Sequence, residues 1–188
     1  DFLSNLADDQ RRWYLEQNGQ AAALRKLDNP AFHRPVFQQL AKSENVAAMV
    51  EQLIGSGVSV FFSQVFCKPS EIGGPKPVHQ DNFYFGPDDL DATLTVWIAL
   101  DTATEQNGCL FYGDGSNLGP IHPHVAPEGG PFNLQVTPDA LHQYAMTPAP
   151  VPSGGISFHH GNTWQTTGAT YFRGGISFHH GNTWHQSS

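Results

Sequence analysis

From Gly57 onward the apolar residues come in strand-sized runs separated by turn-forming clusters: GGPKP, FGPDD, EQNG, GDGSN, APEGGP and TPAPVPSGG. Such punctuation leaves no room for long helices and is the pattern of a β-sandwich or barrel. The content of 19 Gly and 14 Pro fits it. Two runs of β-branched and aromatic residues, VSVFFSQVFCKP after Gly57 and DATLTVWIALD from Asp91, read as buried strands. Only the segment before Gly57 reads as helical. PAFHRPVFQQLAKSENVAAMVEQLIG predicts one or two helices, with Phe37, Leu40, Val46, Met49, Val50 and Leu53 facing a sheet. A short amphipathic helix carrying Trp13 and Tyr14 and ended by Gly19 is expected before it. With 188 residues the chain reads as one domain, 1–56 mainly helical and 57–188 a β-barrel core.

Charge narrows the function. Nine Lys and Arg against 17 Asp and Glu give a net charge of −8, which argues against nucleic acid or an anionic membrane as partner and leaves a small-molecule substrate. No run is long and apolar enough for a membrane span, and DFLSNLADDQ lacks the layout of a signal peptide. Cys67 and Cys109 make no disulfide framework and read as packing thiols. A cytoplasmic protein is expected.

The ten histidines outnumber the Lys and Arg, so their placement carries the chemical argument. GGISFHHGNTW occurs at 154–164 and again, letter for letter, at 174–184. Two copies do not make a solenoid. They differ at the next residue: Trp164 precedes Gln165, whereas Trp184 precedes His185. Earlier, VHQDNFYF sets His79 and Asp81 two residues apart, on one face if the segment is a strand. Two imidazoles and one carboxylate on one face of an iron(II) ion leave three positions open. The second imidazole must then come from a distant strand, and His185 is the candidate. An HxD triplet alone is equally a pair of hydrogen-bonded structural residues.

HQDNFYF, TLTVWIALD, EQNGCLFY, GDGSNLG and GGISFHHGNTWHQSS, in this order and spacing, resemble the phytanoyl-CoA dioxygenase family of iron(II)- and 2-oxoglutarate-dependent oxygenases. The resemblance covers most of residues 57–188. It implies a mainly β, double-stranded β-helix fold (a cupin-like jelly roll) with N-terminal helices packed on one sheet. It implies Fe(II), 2-oxoglutarate as cosubstrate and O2, and hydroxylation of a small molecule with release of succinate and CO2. His79, Asp81 and His185 would be the metal ligands; Gln64, Lys68, Thr95 and Ser187 would face the 2-oxoglutarate. Family members place an arginine past the distal His for the cosubstrate's far carboxylate. Arg173 is the candidate for that clamp here. Halogenating relatives replace the carboxylate ligand with a small residue, so Asp81 points to hydroxylation. A cupin-like isomerase or cosubstrate-independent dioxygenase, or a non-catalytic metal- or ligand-binding barrel, are the alternatives.

The remaining aromatic and polar residues have plainer readings. Strand alternation after Asp81 sends Phe83 toward the site and Tyr84 away. Of His159 and His160, and of their copies His179 and His180, one of each pair is expected to pack or hydrogen-bond nearby. His122 and His124 read as a surface or substrate-facing turn, His33 and His142 as structural, and Asn107-Gly108 as a turn.

Overall fold

A computed structural model describes residues 5–11, 13–18, 21–68, 74–127, 134–167 and 175–181. The protein is mainly β with few helices. In chain order these are α1 Asp8–Arg11, β1 Leu15–Asn18, β2 Ala21–Leu24, β3 Lys26–Asp28, α2 Pro30–His33, α3 Pro35–Ala41, α4 Glu44–Ile54, β4 Ser59–Phe66 and β5 Lys76–His79. Then come α5 Asp81–Phe85, β6 Thr93–Ala99, β7 Leu110–Gly113, β8 His124–Val125, β9 Gln135–Val136, β10 Met146–Ala149, β11 Ile156–His160, β12 Gln165–Thr167 and β13 Gly175–Gly181.

Two larger antiparallel sheets dominate, ordered β11-β6-β13-β4-β3 and β10-β7-β12-β5; β1-β2 and β8-β9 form separate pairs. Strand β6 is buried along its whole length, as its run of β-branched and aromatic residues requires. Alternation splits it into two faces. Leu94, Val96 and Ile98 join Val65 of β4 and pack against Ala31, Ala41, Val46 and Val50 of the helices. Thr95 and Trp97 face a cavity that Gln64 of β4 and Lys76, Leu110, Gln165 and Thr167 of the four-stranded sheet also line. The cavity therefore lies between the two sheets, with the helices on the far side of the larger one.

Several local expectations are corrected by these elements. The segment before Gly57 carries, besides its helices, three short strands that were not expected there, and β3 pairs with β4. The helix expected over Trp13 and Tyr14 shrinks to α1, which stops at Arg11, with β1 beginning at Leu15; Gly19 lies outside the described residues. Pro35, which has no N–H to continue a helix, divides the next segment, so three helices stand where one or two were expected. Leu53 is exposed and Ile54 packs inward instead.

The duplicated segment behaves as its identity demands. Copy one pairs Ile156 through His160 with Ile98 back to Leu94, and copy two pairs Ile176 through His180 with the same five residues from the other edge of β6. Identical letters carry an identical period of two, and hence one register. After β11 the first copy turns at Gly161, where an added Cβ would collide with Asn82 Oδ1. Asn82 is fully buried, and its backbone N–H donates to the Gly161 carbonyl at 2.9 Å. Gly161→Ala should therefore cost about 1–3 kcal/mol of stability in a denaturant titration, the range for overpacking a tight site. An unchanged midpoint would show that Asn82 yields freely.

Candidate metal centre

His79 closes β5, and Asp81 opens α5 instead of continuing the strand. The two still converge across this corner, His79 Nε2 lying 3.6 Å from Asp81 Oδ1, with both side chains buried. His79 Nδ1 donates to the Pro77 carbonyl oxygen at 2.8 Å, which leaves the Nε2 lone pair facing inward. That nitrogen is buried and has no hydrogen-bond partner among the described residues. Burial, and then the neighbouring Lys76 ammonium, push the His79 pKa down to about 3, so the ring stays neutral and able to ligate at physiological pH.

Asp81 is held from a second side. Thr95 Oγ1 donates to Asp81 Oδ2 at 2.6 Å, and His159 Nε2 lies 3.2 Å from the same oxygen. His159 Nδ1 is 3.1 Å from the Tyr112 hydroxyl, itself 2.7 Å from Ser157 Oγ. A chain of four side chains thus ends on the carboxylate. With Ser157 donating to Tyr112 and Tyr112 to His159, the imidazole donates to Asp81. The reverse polarity along the same chain frees the His159 Nε2 lone pair. Burial raises the Tyr112 pKa, which keeps the phenol protonated in either case.

Gln80, between His79 and Asp81, holds the corner in place. Its Nε2 donates to the Asn162 and Pro120 carbonyls, its Oε1 accepts from the His122 N–H, and its own N–H donates to His124 Nε2. His122 and His124 are half-buried, and their contacts with Gln80 make them supports of this corner. Phe83 stacks on His124 at 4.0 Å while Tyr84 lines the cavity, the reverse of the strand-based expectation. The cause is that α5 is helical, so the period of two no longer applies.

Of the other expected site residues, Gln64, Lys68 and Thr95 line the cavity, about 290 Å³ in volume, together with Asp81, His159 and Gln165. Thr95 is first of all a partner of Asp81, and Gln64 Nε2 donates to Asp28 Oδ1 at 2.6 Å. Gln165 is buried and pairs directly opposite His79. His185, Ser187 and Arg173 lie outside the described residues. His159 and His160 separate as expected of such a pair, His160 Nε2 lying 3.1 Å from Asp91 Oδ1. That His159 reaches Asp81 could have been found from alternation: with Ile156 and Phe158 facing the helices, Ser157 and His159 must face inward. Among the described residues, no three His, Cys, Asp or Glu side chains are already spaced to hold an ion; His159 is hydrogen-bonded to Asp81, and His79 Nε2 lies 3.6 Å from that carboxylate's other oxygen.

The profile of the phytanoyl-CoA dioxygenase (PhyH) family matches residues 4–173, and the chain belongs to that family. Among curated proteins it is 26% identical over 170 residues to a probable alpha-ketoglutarate-dependent hypophosphite dioxygenase of Stutzerimonas stutzeri, covering 88% of this chain and 59% of that protein. It is 32% identical over 133 residues to a phytanoyl-CoA dioxygenase domain-containing protein of Mus musculus, covering 69% of this chain and 46% of that one. The chain thus spans about half the length of the curated relatives it matches. Of solved structures, EctD from S. alaskensis with 2-oxoglutarate and 5-hydroxyectoine superposes with a TM-score of 0.74 at 18% identity, covering 95% of this chain and 62% of that one. The epimerase SnoN, in complex with Fe3+, alpha ketoglutarate and nogalamycin RO, gives 0.71 at 24% identity, covering 88% and 66%. No helix among the described residues is long and apolar enough to cross a membrane.

His79 also sets a pH dependence. Its folded pKa near 3 lies below the unfolded value of 6.5, so the unfolded chain takes up the proton first. Stability should be insensitive to this group above pH 6.5 and fall progressively from there toward pH 3. Urea unfolding across that window should show a steeper loss in the parent protein than in His79→Asn. Equal slopes would mean that the ring is solvated.

Proposed function

We infer that this protein is an iron(II)- and 2-oxoglutarate-dependent dioxygenase that hydroxylates a small molecule, built on a double-stranded β-helix. Membership of the family supports the class. What supports the assignment to this site is the buried His79 Nε2, without a hydrogen-bond partner among the described residues and 3.6 Å from Asp81, which lines the cavity between the sheets. A buried nitrogen left without a partner is costly unless something binds it. Imidazole and carboxylate are the donors iron(II) accepts, so the residues present fit the metal.

When bound, iron and 2-oxoglutarate supply the oxidising chemistry that hydroxylates the substrate and releases succinate and CO2. The chain's residues do the rest. The Pro77 carbonyl fixes the His79 tautomer, Thr95 orients Asp81, and Gln80 holds the corner that carries both. In this reading Gln64, Lys68 and Ser187 contact the cosubstrate, and Arg173 clamps its far carboxylate. Trp97, Tyr84, Phe85 and Leu110 give the cavity apolar walls that exclude water.

The third ligand in this reading is His185, at the position where the first copy carries Gln165 opposite His79. A specific observation favours a second reading, in which His159, already 3.2 Å from Asp81, supplies that nitrogen.

Under anaerobic conditions, iron(II) followed by 2-oxoglutarate should produce the weak visible charge-transfer band of the chelate. His79→Ala and Asp81→Ala should abolish it, and Thr95→Val should weaken iron binding roughly tenfold or more. Loss in His185→Gln with retention in His159→Ala supports the first reading of the ligand set, and the opposite result the second. Bound iron with no band on adding 2-oxoglutarate would overturn the cosubstrate assignment.

A further inference from the structure

Two side chains converge on one oxygen of the Asp81 carboxylate. Thr95 Oγ1 donates to Oδ2 at 2.6 Å, and His159 Nε2 lies 3.2 Å from the same oxygen, while Oδ1 is turned toward His79 Nε2. Thr95, His159 and Asp81 are all buried. An ionised carboxylate oxygen only accepts, so a group that comes this close to it must bring a hydrogen. A bare Nε2 would set two lone pairs against each other, and therefore His159 carries its hydrogen on Nε2. In the neutral ring Nδ1 is then an acceptor, and Tyr112, 3.1 Å away, donates to it. A phenol has a single hydrogen, so Tyr112 accepts in turn from Ser157 at 2.7 Å. The polarity of the whole chain follows from its last member, Asp81.

The register of the strands sets these residues in line. Ser157 and His159 are two apart on β11 and share one face of it, paired opposite Trp97 and Thr95 of β6. Tyr112 comes from β7 in the other large sheet. Its hydroxyl bridges to both residues of β11, and its ring lies against the imidazole with centroids 5.1 Å apart. Burial keeps the phenol in its protonated, donating form.

A carboxylate offers about four lone-pair positions, two on each oxygen, and Thr95 with His159 fill the pair on Oδ2. A metal is then taken through Oδ1, on the side of His79. Gripping through both oxygens would close one of the positions that an oxygenase needs for its cosubstrate and dioxygen. We propose that His159 is a positioning residue, held by Tyr112 and Ser157 with its Nε2–H on Asp81 Oδ2, and that this donor together with Thr95 makes Asp81 a one-oxygen metal ligand through Oδ1. The proposal rests on the iron(II) reading of the site and deepens it. His159 acts on the carboxylate and is not itself a ligand, so of the two ligand sets this one takes the set with His185.

Nitrogen NMR of the metal-free full chain, labelled at histidine, reads the tautomer directly, the His159 signals being assigned by their loss in His159→Gln. Hydrogen on Nε2 is expected, and hydrogen on Nδ1 alone would overturn the assignment. Anaerobic calorimetry with iron(II) then tests the role. His159→Leu, which cannot donate, should weaken iron binding roughly tenfold, with the 2-oxoglutarate band still formed at saturating metal. His159→Gln, whose amide can donate to the same oxygen, should restore most of that affinity. Tyr112→Phe should weaken binding about threefold or more. Combined with His159→Leu it should cost nothing further, because Tyr112 acts only through the imidazole. Additive losses in the double variant, or a loss in His159→Gln as complete as in His79→Ala, would overturn the proposal. Failure of the parent chain to bind iron(II) would overturn the metal reading itself, while the tautomer, read without metal, still tests the hydrogen-bond assignment.

Discussion

The alternation of side chains along β6 is the constraint on which the rest of the molecule depends. One face, Leu94, Val96 and Ile98, buries the helices; the other, Thr95 and Trp97, builds the cavity. Because the strand is covered on both faces and paired on both edges, neither set of residues can trade places with the other. Thr95 therefore arrives at Asp81 as a matter of register, and His159, paired opposite Thr95 on β11, arrives with it. A slip of one residue would send both hydroxyl and imidazole into the apolar contact with α4.

The polar groups of the site are correspondingly buried. Buried polar groups there are satisfied by one another: Gln80 reaches four partners, Asn82 joins Asn162 and the Leu90 carbonyl, and Thr95 meets Asp81. Such networks are worth keeping only if nearly every member is paired. Against that background two atoms of this corner have no hydrogen-bond partner among the described residues, His79 Nε2 and Asn82 Oδ1, and it is the imidazole nitrogen that faces the Asp81 carboxylate.

The sequence disclosed the larger units because they rest on composition and period. The strands around Val65 and Val96, the helices carrying Val46 and Val50, and the Asn107-Gly108 turn come from turn clusters, β-branched runs and helical spacing. The HxD pair was legible as chemistry, but its backbone was not: Asp81 starts a helical turn, and so Phe83 and Tyr84 exchange the directions that a strand would give them. No local signal marks that bend, since DNFYF suits a strand equally well and the choice is made by Asn82 docking on Gly161 and Asn162. That Arg25, Lys26, Lys68 and Lys76 all line the cavity was invisible for a different reason. They come from β3 and the residue before it, from the segment after β4 and from β5, which only the tertiary fold brings together, and the overall negative charge pointed the other way.

The repeated segment has a consequence for how the chain finds this structure. Two strands identical in sequence, each able to pair with β6 in one register, are degenerate partners, and the free energy of strand pairing cannot by itself assign them to the two edges. The assignment falls instead to chain connectivity and to the contacts of the turn after β11, where Gly161 and Asn162 lock onto Asn82 and Gln80. Folding then contains a symmetric decision that is broken late and locally, the kind of conflict between equivalent native-like pairings that roughens an otherwise funnelled landscape and opens the way to strand exchange between molecules.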